Sequence, residues 1–241
     1  MVKEGDTVDA IAQDTGIAVD ALLWANQIAY PYRLAVGQSL YIPSKEEGTG
    51  EEGGRDLYVF GYAYPFINSR TLDKTLPFLT DLDVFSYGFT FEGELVPPIQ
   101  DETWMIQLAW ENGIEPMLVT PFTQGVFNNQ LIQTLVEEES VRENVITNLL
   151  KVVEEKGYVG VDVDFEYVLV QNREGYAEFI GELRAAMNEK GYRVSVALAP
   201  KTSSDQKGLL YEGIDYALLG EQADRLFLMT YEWGYSYGPP M

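Results

Sequence analysis

Beyond residue 55 the sequence switches repeatedly between short apolar, strand-like runs and longer segments of helical periodicity. That alternation restricts the region to α/β architectures built on parallel strands. Strand-like runs fall at residues 57–62, 84–89, 116–120, 159–167, 192–199 and 226–231, with a turn at residues 91–95. A helix is expected around residues 104–110. Residues 140–156 read as another, with Ser140 and Glu143 as a capping box and Gly157 as its stop. Asn172 is placed to cap a third, whose apolar face carries Tyr176, Phe179, Ile180, Leu183 and Met187 ahead of Gly191.

Ahead of this region the chain changes character. Residues 44–54 contain no apolar side chain and are rich in Gly and Glu, the composition of a solvated linker. The division expected is a small module over 1–43, a linker over 44–55 and a large domain over 56–241. The module reads strand, helix, helix, strand. Thr7 caps a helix through Val8, Ile11 and Ala12, Gly16 stops it, and a second helix carries Leu22, Leu23 and Ala25.

The segment Gly160-Val161-Asp162-Val163-Asp164-Phe165-Glu166-Tyr167 carries the most chemistry. In a strand its three acids share one face and Val161, Val163 and Phe165 the other. Three carboxylates so aligned repel one another, so at least one is pushed toward its protonated form. One reading is an edge strand with its acidic face in water. Another is a hard-cation site for Mg²⁺ or Ca²⁺, for which no supporting loop is evident. The third is an interior strand, flanked by two long helices, with carboxyls directed to the end where parallel barrels hold their active sites.

Composition narrows the choice. The chain has no His and no Cys, which removes imidazole bases, thiol nucleophiles, disulfides and His- or Cys-bound metals, and leaves acid–base work mainly to carboxylates, with Tyr and Lys as lesser candidates. Its 38 acidic residues against 16 Lys and Arg give a formal charge of −22, which argues against nucleic acid and anionic lipid surfaces as partners. No apolar run is long enough to span a membrane, and the first residues lack the apolar core of a signal peptide, so synthesis and retention in the cytoplasm are expected.

Asp162, Asp164 and Glu166 together resemble the last three acids of the motif Asp-x-x-Asp-x-Asp-x-Glu of glycoside hydrolase family 18; Val159 stands where the first acid would be. Met229-Thr230-Tyr231-Glu232 is similar to that family's Met-x-Tyr-Asp, with Glu for Asp, whereas its Ser-x-Gly-Gly is not evident. Lys3-Glu4-Gly5-Asp6-Thr7, Asn26-Gln27-Ile28 and Val36-Gly37-Gln38-Ser39-Leu40-Tyr41-Ile42-Pro43 resemble a LysM domain. The pairing resembles spore-cortex-lytic N-acetylglucosaminidases of endospore-forming bacteria, as do Ala199-Pro200-Lys201-Thr202-Ser203 and Tyr231-Glu232-Trp233-Gly234.

The resemblance implies a (β/α)8 TIM-barrel-type domain preceded by a small βααβ LysM domain. It implies hydrolysis of β-1,4 bonds at N-acetylglucosamine in peptidoglycan or chitin, with no cofactor and no metal. Glu166 would be the general acid, then the base. Asp164 would orient the substrate's acetamide, Asp162 would hold Asp164, and Tyr231 would hydrogen-bond the acetamide oxygen. Met229, Glu232 and Trp233 would bind substrate. Apart from the resemblance, the aromatics Tyr62 and Phe89 fall near expected strand C-terminal ends, where a ring either packs on a sugar face or serves barrel or helix–sheet packing. Gly5, Asp6, Thr7, Ile28, Tyr30 and Pro31 would line the LysM glycan groove, although Thr7 as a helix cap and Pro31 as a turn residue need no ligand to explain them. Spore association follows from the same resemblance. Chitinase activity and a catalytically inactive glycan-binding protein are the alternatives; the intact acids speak against the second. Six strands against the family's eight lead to the expectation of an incomplete, C-terminally truncated barrel of about six βα units. The oligomeric state is not legible.

Overall fold

A computed structural model describes residues 1–26, 28, 31–43, 57–121 and 128–230. The chain divides into two compact units, Met1–Leu57 and Tyr58–Met241.

In the first unit, α1 (Val8–Thr15) and α2 (Val19–Ala25) pack through Val8, Ala12 and Leu22, with Ile11, Val19, Leu23 and Leu34 around them. Thr7 Oγ1 accepts from the Ala10 N–H at 3.2 Å, and Gly16 ends α1 in the left-handed region at φ 69°. Where flanking strands were expected, the described residues hold a two-bond bridge: Val2 N–H to Gln38 O and Gly37 N–H to Val2 O, both 2.8 Å.

In the second unit the elements run β1 (Phe60–Ala63), α3 (Ser69–Thr75), β2 (Asp81–Phe85), β3 (Gly88–Phe89), β4 (Leu95–Val96), α4 (Thr103–Glu111), β5 (Glu115–Thr120), α5 (Asn129–Glu137), α6 (Glu139–Lys156), β6 (Gly160–Val163), α7 (Arg173–Glu189), β7 (Arg193–Leu198), α8 (Tyr216–Gln222) and β8 (Arg225–Leu228). Six strands form one parallel sheet in the order β1-β2-β5-β6-β7-β8, and β3 and β4 form an antiparallel hairpin. Each strand thus lies beside its predecessor in the sheet, as in a barrel wall. The sheet curls until rings from its two end strands meet, with Phe60 and Phe227 centroids 4.6 Å apart.

Alternation along the strands sorts the two faces. Leu82, Val84, Leu118, Val161, Val163 and Val196 join the core formed with the helices, including all five expected apolar residues of α7. Asp81, Asp83, Met117, Asp162, Arg193, Ser195 and Arg225 line the concave interior. β6 lies between β5 and β7, so the edge-strand reading of the acidic segment is overturned.

Two caps differ from expectation. α6 begins at Glu139 with Glu138 as its cap residue and no side-chain capping bond, so Ser140 lies inside the first turn and the Ser140–Glu143 box does not form. Asn172 occupies the cap position of α7, but its side chain is buried and makes no capping bond. Gly157 does stop α6, at φ 80°.

Gly160 sets how closely β6 and β7 approach. A Cβ there would meet the Arg193 carbonyl oxygen at 2.1 Å, and that atom belongs to the paired strand. Gly160→Ala should therefore destabilise this unit by about 1–3 kcal/mol through overpacking, read as a lower urea midpoint. An unchanged midpoint would show that β6 and β7 can separate freely.

Candidate active site

The acidic segment crosses the end of its strand. β6 closes at Val163, one residue before Asp164, yet the alternation continues. The Asp164 N–H donates to Thr120 O at 3.1 Å, and Phe165 is buried against Phe89, Tyr176 and Phe179, stacked on the last at 5.9 Å and 6°. Anchoring Phe165 beneath α7 turns Asp164 and Glu166 to the opposite side, at the C-terminal end of the strand. Tyr167 follows in the left-handed region at φ 59°.

Asp162 is 2% exposed, inside the sheet. Tyr62 donates its hydroxyl hydrogen to Asp162 Oδ2 at 2.7 Å, and Ser195 donates to Oδ1. Burial pushes the Asp162 carboxyl up, and these two hydrogen bonds act the other way. Asp164 is 8% exposed, and among the described residues its Oδ1 has no hydrogen-bond partner. Burial, then the charges of Asp162 and Glu166, push Asp164 up to about 7. Mutual repulsion among the acids, read from the sequence, is therefore present but second to burial. Glu166 is half-buried beside Asp164.

The interior is polar below these acids. Arg193 pairs with Asp81 at 2.9 Å and Glu115 at 2.6 Å, and Arg225 lies 3.9 Å from the Tyr58 ring centre, all near the N-terminal strand ends. Between this network and Asp162 is a cavity of about 300 Å³ that Asp83 also lines. A second cleft of about 270 Å³ opens at the C-terminal end, walled by Tyr64, Pro65 and Phe66 after β1, Phe85 and Ser86 at the end of β2, and residues 97–100. Tyr64 and Phe66 stack at 4.9 Å, and Phe66 is 68% exposed. The charge of Asp164 reaches Tyr64 and, after burial, helps push its hydroxyl up, which ties this cleft to the acids.

The expected site residues separate into groups. Asp162, Asp164, Glu166 and Tyr62 are brought together, with Tyr62 engaged on Asp162. Phe89 is a correction: it is 0% exposed and packs against Phe165, so it belongs to the core and has no surface to offer a ligand. Met229 extends the line of β8, its N–H donating to Leu198 O at 2.9 Å. Tyr231, Glu232, Trp233 and, in the first unit, Tyr30 lie outside the described residues. Gly5 holds φ 87°, Asp6 Oδ2 accepts from the Lys3 N–H at 2.7 Å, Thr7 caps α1, the Ile28 N–H donates to Leu23 O at 3.0 Å, and Pro31 is exposed in a turn. Sequence reasoning missed Asp83, Ser195 and Arg193. Among the described residues no group of three or more acids is arranged to hold a metal ion, and no helix is long and apolar enough to cross a membrane.

The LysM domain profile matches residues 1–43, and the profile of glycosyl hydrolases family 18 matches residues 125–238. A cortical fragment-lytic enzyme of Bacillus subtilis (strain 168) is 34% identical, with 100% of this chain and 67% of that protein aligned. The crystal structure of the Bacillus cereus spore cortex-lytic enzyme SleL matches with a TM-score of 0.74 at 31% identity, covering 100% of this chain and 55% of that one. A chitinase from Chromobacterium violaceum, 21% identical with a TM-score of 0.68 over 77% of this chain and 59% of that one, shares the fold. The chain spans 55% of the length of the solved Bacillus cereus enzyme.

Proposed function

This chain belongs to glycosyl hydrolases family 18, and from that premise we propose that it hydrolyses β-1,4 bonds at N-acetylglucosamine in spore-cortex peptidoglycan. The reaction proceeds with retention, the substrate's own acetamide serving as nucleophile, an exception to the usual pair of protein carboxylates. The observation that carries this reading is the Oδ1 of Asp164, which has no hydrogen-bond partner among the described residues and is buried next to Glu166 at the strand end. A buried acceptor without a donor is costly, and an acetamide N–H supplies that donor when substrate binds.

In this mechanism Glu166 protonates the glycosidic oxygen. The acetamide oxygen attacks the anomeric carbon and the leaving sugar departs with the proton. Asp164 accepts the acetamide N–H and, as an anion, offsets the positive charge that develops on the oxazolinium ring. Asp162, fixed by Tyr62 and Ser195, holds Asp164 in place. Glu166 then removes a proton from water, which opens the ring and restores the original anomeric configuration. Tyr231 hydrogen-bonds the acetamide oxygen, and Met229, Glu232 and Trp233 contribute to the same sugar site. The Tyr64–Phe66 cleft takes adjoining sugar rings on its apolar wall. The first unit binds the same glycan through Gly5, Asp6, Thr7, Ile28, Tyr30 and Pro31, and holds the chain on the cortex. The relatives' names support spore association.

The test uses purified cortex fragments and, in parallel, chitin oligomers. After digestion, new reducing ends are reduced with borohydride and identified, and the first-formed anomer is read by NMR. N-acetylglucosamine ends from cortex in the β configuration are expected. N-acetylmuramic acid ends would overturn the bond assignment, α-anomers the mechanism, and cleavage of chitin alone the substrate.

A further inference from the structure

The interior cavity contains a carboxyl that the proposed mechanism does not use. Asp83 is 4% exposed on β2, two residues after Asp81 and in register with Tyr62 of β1. It lines the same cavity as Asp162, Ser195, Arg193 and Arg225. The hydrogen-bond donors around that cavity are unevenly distributed. The Tyr62 and Ser195 hydroxyls take one Asp162 oxygen each. Arg193 and Arg225 approach Asp81, at 2.9 and 3.6 Å. Among the described residues the Asp83 carboxyl takes part in no hydrogen bond, and a charge on it would be offset only by the Arg193 and Arg225 guanidiniums, which are engaged on Asp81. Two buried carboxyls facing one cavity do not both ionise readily, and the charge settles on the one that accepts hydrogen bonds.

We propose that Asp83 is a positioning residue for the catalytic carboxyls: it and Asp162 carry one proton between them, Asp83 holds it, and Asp162 remains the anion that faces Asp164. The role rests on the glycosidase reading above; the placement of the proton does not. The charged groups that face Asp83 are Asp162, Asp81, Arg193 and Arg225, with the Tyr62 phenol beside it. Burial, then the charges of Asp162 and Asp81, push Asp83 up to about 9 against the pull of the two guanidiniums. The Asp162 charge also raises Asp164, while the Ser195 and Tyr62 hydrogen bonds act to lower Asp162. The hydrogen bonds therefore place the charge on Asp162, which accepts both hydroxyls, and the proton on Asp83, which accepts neither. With Asp83 neutral, a single negative charge stands beneath Asp164, and Asp164 stays poised between its two protonation states where the acetamide arrives.

The experiment follows the carboxyl carbons of ¹³C-aspartate-labelled full chain by NMR from pH 4 to pH 10, without substrate. Resonances are identified by their loss in Asp83→Asn and Asp162→Asn. Backbone-linked assignment of the unmutated chain gives the same identification if a variant does not fold. The Asp83 resonance is expected to titrate above neutrality, near pH 9, while that of Asp162 is already at its ionised position at pH 7. The Asp164 midpoint should stay near 7 in Asp83→Asn, because Asn replaces a neutral acid, and fall in Asp162→Asn, because a negative charge is lost. An Asp83 midpoint in the ordinary carboxylate range, or an Asp162 still protonated at pH 7, overturns the proposal and leaves the glycosidase reading standing. A chain that fails to cleave cortex while Asp83 titrates near 9 overturns the reading of the role alone.

Discussion

Glu166→Gln should fold normally and hydrolyse cortex glycan about 10²–10⁴-fold more slowly, the usual contribution of a general acid and base. Glu166 lies beyond β6, half-buried, and the packing at this point is borne by Phe165 on its other side. Gln has nearly the same shape and can still donate a hydrogen bond toward the glycosidic oxygen. It can neither release a proton to the leaving sugar nor take one from water. The loss therefore belongs in kcat, with KM nearly unchanged. Turnover is read as reducing ends released per enzyme, beside a thermal melt that checks the fold. A folded Glu166→Gln with near-normal turnover would remove Glu166 from the mechanism. A fall confined to KM would make it a binding residue.

The acids were legible because the pattern that exposes them survives the end of the strand. Val161, Val163 and Phe165 are pinned to the helix side, and Asp162, Asp164 and Glu166 have only the other side left to them. Asp83 was hidden by a boundary. The same alternation is present in Asp81-Leu82-Asp83-Val84-Phe85, but a strand begun at residue 84 excludes both acids, whereas the structure begins it at Asp81. Ser195 and Arg193 follow the same rule in Arg-Val-Ser-Val on β7, where a single hydroxyl among apolar residues gives no sign of the carboxylate it meets across the sheet. α3, α5 and α8 are short, so their periodicity is faint, but each opens on an Asx residue, Asn68, Asn128 or Asp215, whose side chain does cap it. Phe89 shows the converse. An aromatic near an expected strand end looks ligand-facing until the β3–β4 hairpin buries it.

The same burial that tunes the site makes it costly to the fold, and Asp164→Asn should expose that cost. The folded-state value for Asp164 is about 7, against an ordinary 3.8. Between those values the folded chain binds a proton that the unfolded chain has released. Stability from this group is therefore fully present below about pH 4, falls as pH rises, and reaches its minimum above about pH 7. The difference in pKa corresponds to about 4 kcal/mol on the high-pH side. Asn keeps the shape of the protonated acid and cannot ionise. Urea unfolding of the two chains should give nearly equal stabilities at pH 4 and a more stable Asp164→Asn at pH 8, with the gap opening across the interval. Equal stabilities at both pH values would mean that Asp164 ionises in the fold as freely as in water, and the orphaned Oδ1 would lose its significance. Because Asn cannot balance the charge of an oxazolinium ring, the stabilised variant should also be inactive on cortex. A gain in stability coupled to that loss is the behaviour of a group retained for chemistry against the interest of the fold.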